Sequence, residues 1–421
     1  MRILCVMVVL GISVGDAKAD NWPGWRGPAS NGVAAGANYP IRWSNTQNVA
    51  WKAALPGRGS STTAVWGDRI FVTSPGAGKN MLLCFDRDGK KIWQVTLGNE
   101  RGGKNRKASG SNPSPTTDGQ HVYVYYKSGE LVCVDFAGKI VWQKNLQKMY
   151  GKDTLWWDLG SSPVLTRNLV VVVCMQEGPS YVAGFDKRTG RTVWKQDRTF
   201  DAPRETDQSY TTPVVVTEGD RETIVVLGAD HVTAHAADTG EELWRVGGLN
   251  PDRREYFRSI ASPIVADGLV IAPYARGGSL TAIRLGGSGD VTKSHVVWVK
   301  PGPASDVPSP AVIGGRIYVC TDRGEVACAD LKTGKKLWGQ RVERNRNGFS
   351  ASPIVAGGNI YAIREDGKTF VLEQGDAFKL VATNELNEFT VATPVFTRGQ
   401  ILIRTGEHLY CIGKPSQSAG R

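Results

Sequence analysis

Long apolar runs are scarce in this chain. The one sustained stretch, "ILCVMVVLGISVG" behind Arg2, is thirteen residues long, short of the roughly 20 a spanning helix needs. With "AKA" (17–19) after it, the stretch has the pattern of an export signal, so the mature chain is expected to start near Asp20. Cys5, directly after "RIL", lies too near the start to attach a lipid. Histidine is also sparse: His121, His231, His235, His295 and His408 are scattered, and no third ligand accompanies His231 and His235. That disfavours a histidine-based metal centre and leaves ordinary strand surface as the expected role. No C-x-x-C-H motif attaches a haem, no G-x-S-x-G elbow presents a nucleophile, and no G-x-x-x-x-G-K-[ST] loop cradles a phosphate. Any catalytic set would have to be assembled from distant segments.

Cysteine usage is modest too. Six remain after the signal, an even number that invites disulfides in an exported chain. Their placement argues otherwise, because they occupy recurring positions in a repeat. Cys84, Cys133, Cys328 and Cys411 share one slot, and Cys174 and Cys320 share another. They read as small core residues with free thiols, Cys84–Cys133 being the one bridge between adjacent units left to consider.

Glycine and tryptophan are plentiful, 50 and 13 residues, and the tryptophans keep time. Trp93, Trp142, Trp194, Trp244, Trp298 and Trp338 end similar phrases such as "LLCFDRDGKKIW" (82–93) and "VACADLKTGKKLW" (326–338). A second marker, hydroxyl residues running into proline, stays in phase with the first at Pro115, Pro163, Pro213, Pro263, Pro310, Pro353 and Pro394. Within a unit the apolar residues alternate with period two between Gly-bearing turns, which gives four short strands per unit. Repeats of about 40–50 residues with four strands are propeller blades. The last unit has only three strands. "NVAWKAAL" (48–55) copies the fourth, so it is expected to close the ring and leave no open sheet edge. With Trp51 and the degenerate "FKLVATNEL" around Val381, the count reaches eight. The expected fold is an all-β, eight-bladed propeller of four-stranded blades over 48–414. It is preceded by the signal (1–19) and an extension packed on the ring (20–47), and followed by a flexible tail (415–421).

The repeated phrase, small residue–x–Asp–x–x–Thr–Gly–x–x–x–Trp, is intact at Cys328, Asp330, Thr333, Gly334 and Trp338 and again at Gly184, Asp186, Thr189, Gly190 and Trp194. Asp86 and Asp135 lead the equivalent turns before Trp93 and Trp142. The phrase resembles the tryptophan-docking repeat of pyrroloquinoline-quinone-type propellers, a superfamily that includes quinoprotein dehydrogenases and the outer-membrane assembly factor BamB. Its physical reading is architectural: Asp caps the turn, Gly supplies a positive φ, and Trp packs between blades. The quinoprotein branch implies pyrroloquinoline quinone with calcium, held by a vicinal cysteine pair and acidic ligands in long insertions. This chain has no "CC" and no Asp-rich loop, so no cofactor is expected and that oxidoreductase stands as the alternative. Resemblance to BamB implies a non-catalytic scaffold that contacts envelope proteins.

Loops joining one unit's fourth strand to the next unit's first fall on a single face, and they are the least repetitive parts. They gather Arg101, Lys104, Arg106, Tyr150, Trp156, Trp157, Arg204, Arg253, Arg254, Tyr256, Phe257, Arg258, Arg344, Arg346 and Phe349. Aromatic rings beside arginines are the composition of contact surfaces, so these residues form the candidate contact face, for an envelope protein or, as a second alternative, for a glycan in a glycan-binding or carbohydrate-active propeller. The formal charge of +11 is spread over the loops and favours acidic or anionic partners. Nucleic acid is not expected for an exported chain without a binding module. In "NWPGWRGPASNGV" (21–33), like the opening of other exported propellers of this class, Trp22 and Trp25 are expected to pack on the ring and form no site. The chain is expected to act as a monomer in the periplasm or envelope, soluble or peripheral.

Overall fold

A computed structural model describes residues 21–415; the expected signal segment and the tail beyond Pro415 lie outside them. Eight sheets follow one another around a ring. In blade 1 the strands are Ala64–Trp66, Arg69–Gly76, Lys79–Phe85 and Lys91–Asn99, here lettered a to d from the axis outward. Blades 2 to 7 repeat the antiparallel order, their first strands being Thr116–Thr117, Val164–Leu165, Val214–Glu218, Ile264–Ala266, Ala311–Ile313 and Ile354–Ala356. Blade 8 takes its first three strands from Val395–Thr397, Gln400–Arg404 and His408–Ile412, and its fourth from Val49–Ala54. The ring is therefore closed by the N-terminal strand.

Register shows why the repeated phrase has its letters. Each docking tryptophan faces the phrase's small residue directly across the sheet: Trp93 and Cys84, Trp142 and Cys133, Trp194 and Gly184, Trp244 and Ala234, Trp298 and Ala282, Trp338 and Cys328, Trp51 and Cys411. A large ring opposite a small side chain fills a fixed width of sheet. The indole then reaches sideways. Trp51, Trp93, Trp142, Trp194, Trp298 and Trp338 donate Nε1–H to carbonyls of the next blade (Arg87, Phe136, Lys187, Ala237, Leu331 and Gly375) at 2.6–3.1 Å. For five of these six, all but Trp338, a turn glycine of that next blade receives the ring: at Gly190, which sits at φ 68°, an added Cβ would lie 2.6 Å from Trp142. Glycine is needed there twice over, for its backbone and for the close approach. Asp186 and Asp330 cap their turns, each accepting from a threonine amide and hydroxyl at 2.7–2.9 Å; Asp86 and Asp135 accept from turn amides at 2.9–3.0 Å.

Two blades depart from the pattern. Trp244 meets an insertion in place of a turn, where Gly289–Asp290 pairs in parallel with Trp244 and Arg245. In blade 7 the tryptophan slot holds Ala382, opposite Val371. Residues 39–43 cover that region: the Trp43 amide donates to Asn384 at 2.8 Å and its indole stacks on Tyr361.

The second marker has a structural role of its own. The buried hydroxyl residues before the prolines form a chain around the axis. The amide of Thr62 donates to Ser114 Oγ, and those of Ser114, Ser162, Thr212, Ser262, Ser309 and Ser352 donate in turn to Ser162, Thr212, Ser262, Ser309, Ser352 and Thr393, all at 2.8–3.1 Å. Thr62 Oγ1 closes the circle by donating to the Thr393 carbonyl at 3.2 Å. In seven of the eight the following proline holds the residue extended, so its amide points at the neighbouring blade instead of along its own sheet; Thr62, followed by Thr63, takes the same place without one. Every link satisfies a buried donor that would otherwise be costly to leave unmade.

All six cysteines among the described residues are buried free thiols; burial pushes Cys84 and Cys133 up to about 12. The histidines are not uniformly strand surface. His235 is buried, with Nδ1 3.0 Å from the Gly240 carbonyl and Nε2 3.0 Å from Thr233, and burial lowers its pKa to about 4. His231 stacks on Phe200, ring centroids 4.0 Å apart. His231 thus packs on the preceding loop and His235 bonds the turn that follows its own strand, neither of which strand alternation alone shows.

Candidate functional site: the loop face and central funnel

The loops joining blades 2 to 3, 3 to 4 and 4 to 5 are stitched into one platform. The Trp156 amide donates to Gln208 at 2.8 Å and the Trp157 amide to the Tyr210 hydroxyl at 3.0 Å. Between the next two loops, the Tyr210 amide donates to the Ser259 carbonyl at 2.8 Å and the Tyr256 amide to the Arg204 carbonyl at 2.9 Å. Upon this platform the Arg204 guanidinium lies over both the Trp156 and Tyr256 rings, 4.9 and 5.6 Å from their centroids. Trp157 stands beside them, its Nε1–H donating to Glu205 at 2.7 Å. Trp157 and Tyr256 are 43% and 39% exposed. Glu205, Arg253 and Tyr256 all have positive φ, at 61°, 47° and 67°. For a bulky residue such as Tyr256 this backbone persists only because the surroundings hold it, a feature that clusters at functional sites. In the loop that carries Arg204, burial and the neighbouring Glu177 and Glu205 carboxylates push Asp207 up to about 6.

The other members of the candidate face sort into three groups. Lys104 joins the platform, its Nζ donating to the Leu155 and Trp156 carbonyls at 2.7 and 3.1 Å, and Arg101 pairs with Asp153. Arg253 and Arg254 pair with Asp201 and Asp252, while Arg106, Arg344 and Arg346 are exposed elsewhere on the loops. Tyr150 and Phe257 are half-buried against core clusters. Phe349 corrects the expectation of an exposed ring: it is 2% exposed, packed on Phe370 with 5.9 Å between centroids and lying against Gly324. The Phe349 amide donates to the Asp322 carbonyl at 3.0 Å, which draws the residue onto the turn of blade 6, and Gly324 in that turn leaves room for the ring.

At the centre of this face opens a funnel of about 440 Å³. Arg258 and Lys107 reach its wall with their partners attached: Arg258 faces Glu205 at 3.4 Å and Asp306 at 3.3 Å, and Lys107 reaches Glu365 of blade 7 at 2.7 Å. Asp158, also on the wall, is buried against Lys127 and accepts from the Lys104 amide at 2.8 Å. Sequence reading overlooked the floor. The extension crosses the opposite end of the channel, with Trp22 bridged to Val65 and the Pro23, Asn31 and Gly32 carbonyls accepting from Thr117, Val312 and Val355. Each of those four partners lies three positions beyond a member of the hydroxyl circle. Val33–Ala34 then joins blade 7 as a parallel strand. Arg26, fully buried, donates to the Pro353 carbonyl at 2.8 Å and to that of Pro310. Trp25 lines both the funnel and the crevice beneath it. Trp22 packs as expected of it; Trp25 is the funnel's floor. The one available signal was the tryptophan pair in a segment outside the repeat.

Comparison with known proteins places this architecture. A family model described as outer membrane protein assembly factor BamB matches residues 33–197 and 204–376. The chain belongs to that family. BamB of Bordetella pertussis is 25% identical over 371 residues, covering 85% of this chain and 84% of the relative. In fold, the chain is similar to the crystal structure of BamB from Moraxella catarrhalis (TM-score 0.62, 15% identity, 86% of this chain and 99% of that one). It is also similar to quinohemoprotein alcohol dehydrogenase from Comamonas testosteroni (TM-score 0.71, 13% identity, 96% and 82%).

The quinoprotein likeness raises the question of whether the funnel suits pyrroloquinoline quinone and calcium. The quinone carries three carboxylates and needs free cations, but Lys107 and Arg258 already face Glu365, Glu205 and Asp306. Asp158 is neutralised by Lys127, and among the described residues no group of three His, Cys, Asp or Glu side chains is placed to hold a metal. The donor set does not fit that pair. Among the described residues no helix is long and apolar enough to cross a membrane.

Proposed function

We propose that this protein is a non-catalytic scaffold of the bacterial envelope, exported and soluble or peripheral, which docks a protein partner in outer-membrane protein assembly on the platform between blades 2 and 5. The observation that carries this reading is the Trp156–Arg204–Tyr256 stack, with Trp156 half-buried and Tyr256 exposed, beside the exposed Trp157. Rigid aromatic rings with an arginine between them are the residues that concentrate binding energy at protein interfaces. The stitched loops hold them in place before any partner arrives, so little ordering entropy opposes docking. Membership of a family described as an outer-membrane assembly factor supports the choice of partner. No cofactor is required, and a single copy of the ring suffices.

Site-specific photo-crosslinking tests the reading. A crosslinker at Tyr256 should trap a discrete envelope protein in cells, and one at Val299, exposed on the outer strand of blade 5, should not. Equal yields at the two positions, or no adduct at Tyr256, would overturn it.

A further inference from the structure

We infer that the central funnel is a binding site for a neutral saccharide of one or two rings. Its volume of about 440 Å³ lies within the range of roughly 300–1,000 Å³ typical of small-molecule sites. The funnel is open on the loop face and closed below by Trp25, so a ligand has one way in and an aromatic surface at the bottom. Trp157 adds a second exposed ring on the wall. Indole faces are apolar and match the C–H faces of a sugar ring.

The polar complement of the site points the same way. Ser114, Ser162, Thr212, Ser262, Ser352 and Thr393 of the hydroxyl circle line the cavity. Each oxygen accepts an amide from the neighbouring blade, which leaves its own O–H hydrogen to donate. Asn112, whose amide oxygen accepts from Ser60 at 2.7 Å and Ser109 at 2.8 Å, keeps its NH₂ for a ligand. Hydroxyls that can both donate and accept suit a ligand whose own groups do both. A free cation would select an anion, but the lining cations are each engaged by carboxylates. This inference is independent of partner docking at the outer platform: a crosslink from Tyr256 neither requires nor excludes a filled funnel.

The experiment is ¹⁹F NMR of the mature chain carrying 5-fluorotryptophan. The Trp25 and Trp157 signals are assigned through Trp25→Phe and Trp157→Phe. Glucose, maltose, cellobiose and N,N′-diacetylchitobiose are titrated in turn, with galacturonate and glucose 6-phosphate as charged counterparts. At least one neutral sugar should shift both signals saturably, with a Kd of about 1 mM or tighter, and its affinity should fall at least tenfold in Trp157→Ala and in Asn112→Ala. Asn112→Ala tests the wall without touching the floor, should Trp25 variants fold poorly. The inference is overturned if no neutral sugar moves the Trp25 signal, if only the charged sugars bind, or if neither variant weakens binding.

Discussion

The two sides of the loop face have the same composition and opposite outcomes. Between blades 2 and 5, Trp157 and Tyr256 stand in solvent; between blades 6 and 7, Phe349 is 2% exposed although it too follows a run of arginines. The difference lies in what each loop rests on. Loops 198–213 and 247–263 lean on one another through backbone bonds such as Tyr256 N–H to Arg204 O at 2.9 Å. Their backbones are thus satisfied and their rings remain free. The shorter connection 342–353 is tied instead to the turns of the flanking blades, Phe349 N–H to Asp322 O and Glu365 N–H to Gly348 O, both at 3.0 Å, and its ring drops into the core against Gly324. Aromatic–arginine composition identifies a contact surface only where the loop is held up by a neighbouring loop and not drawn down onto the turns of the flanking blades.

The largest expected effect comes from removing the anchor of the exposed side. Asp158 and Lys127 are both 2% exposed at their side chains, and Asp158 also takes the Lys104 and Asn105 amides, at 2.8 and 3.2 Å. Asp158→Asn keeps the shape and leaves the Lys127 charge buried without a counterion, which should cost about 4 kcal/mol. Denaturant unfolding measures it; a loss below about 1 kcal/mol would mean that the platform does not depend on this pair. On the other side, Phe349→Ala should cost about 3 kcal/mol through the cavity it leaves. A near-neutral result would place its ring in solvent and erase the contrast.

How much of this was legible in the sequence follows from the distance over which each feature is written. The docking phrase is local: small residue, Asp, Gly and Trp lie within one hairpin, so its period yielded the blades, their number and the closing role of the strand around Trp51. The pre-proline hydroxyls were visible as a marker, but their purpose is a bond to the next blade, some 40–50 residues away, and nothing within one unit announces it. The funnel floor was hidden for the same reason. Arg26 bonds the Pro353 carbonyl across 327 residues of chain, and only the closed ring brings the two together. Arg204 between Trp156 and Tyr256 likewise needed three loops in register, although each loop separately had suggested a contact surface.

A smaller, pH-dependent effect belongs to the closing blade. Burial alone would raise the Glu388 carboxyl, but bonds from Lys52, Thr405, Tyr410 and His408 more than reverse it and hold the group at about 2, below its usual 4.5. Because the folded pKa is depressed, this stabilisation is fully present above about 4.5 and fades as pH falls towards 2. Lys52 lies on the strand that closes the ring, so Glu388→Gln should weaken that closure by about 2 kcal/mol at neutral pH. The variant should also flatten the acid limb of the stability–pH curve. Parallel curves for the two proteins between pH 3 and 5 would assign the acid sensitivity to another carboxylate, since linkage confines this effect to roughly that window.

Tyr256→Ala should change stability least and the comparison most. The ring is 39% exposed and its main partner is the Arg204 guanidinium 5.6 Å from its centroid, a surface cation–π contact worth about 0.5–1 kcal/mol. Relief of the positive φ is small, because alanine there is strained as well. The net shift in unfolding free energy should stay at about 1 kcal/mol or below, the size of that contact. Partner docking should still fall at least tenfold, because a central ring at an interface is worth about 2 kcal/mol or more. Binding measured against the crosslinked partner, alongside unfolding of the same variant, separates the two quantities. Loss of both together would make Tyr256 a structural residue like Phe349, and the two sides of the face would then differ only in how their rings are packed.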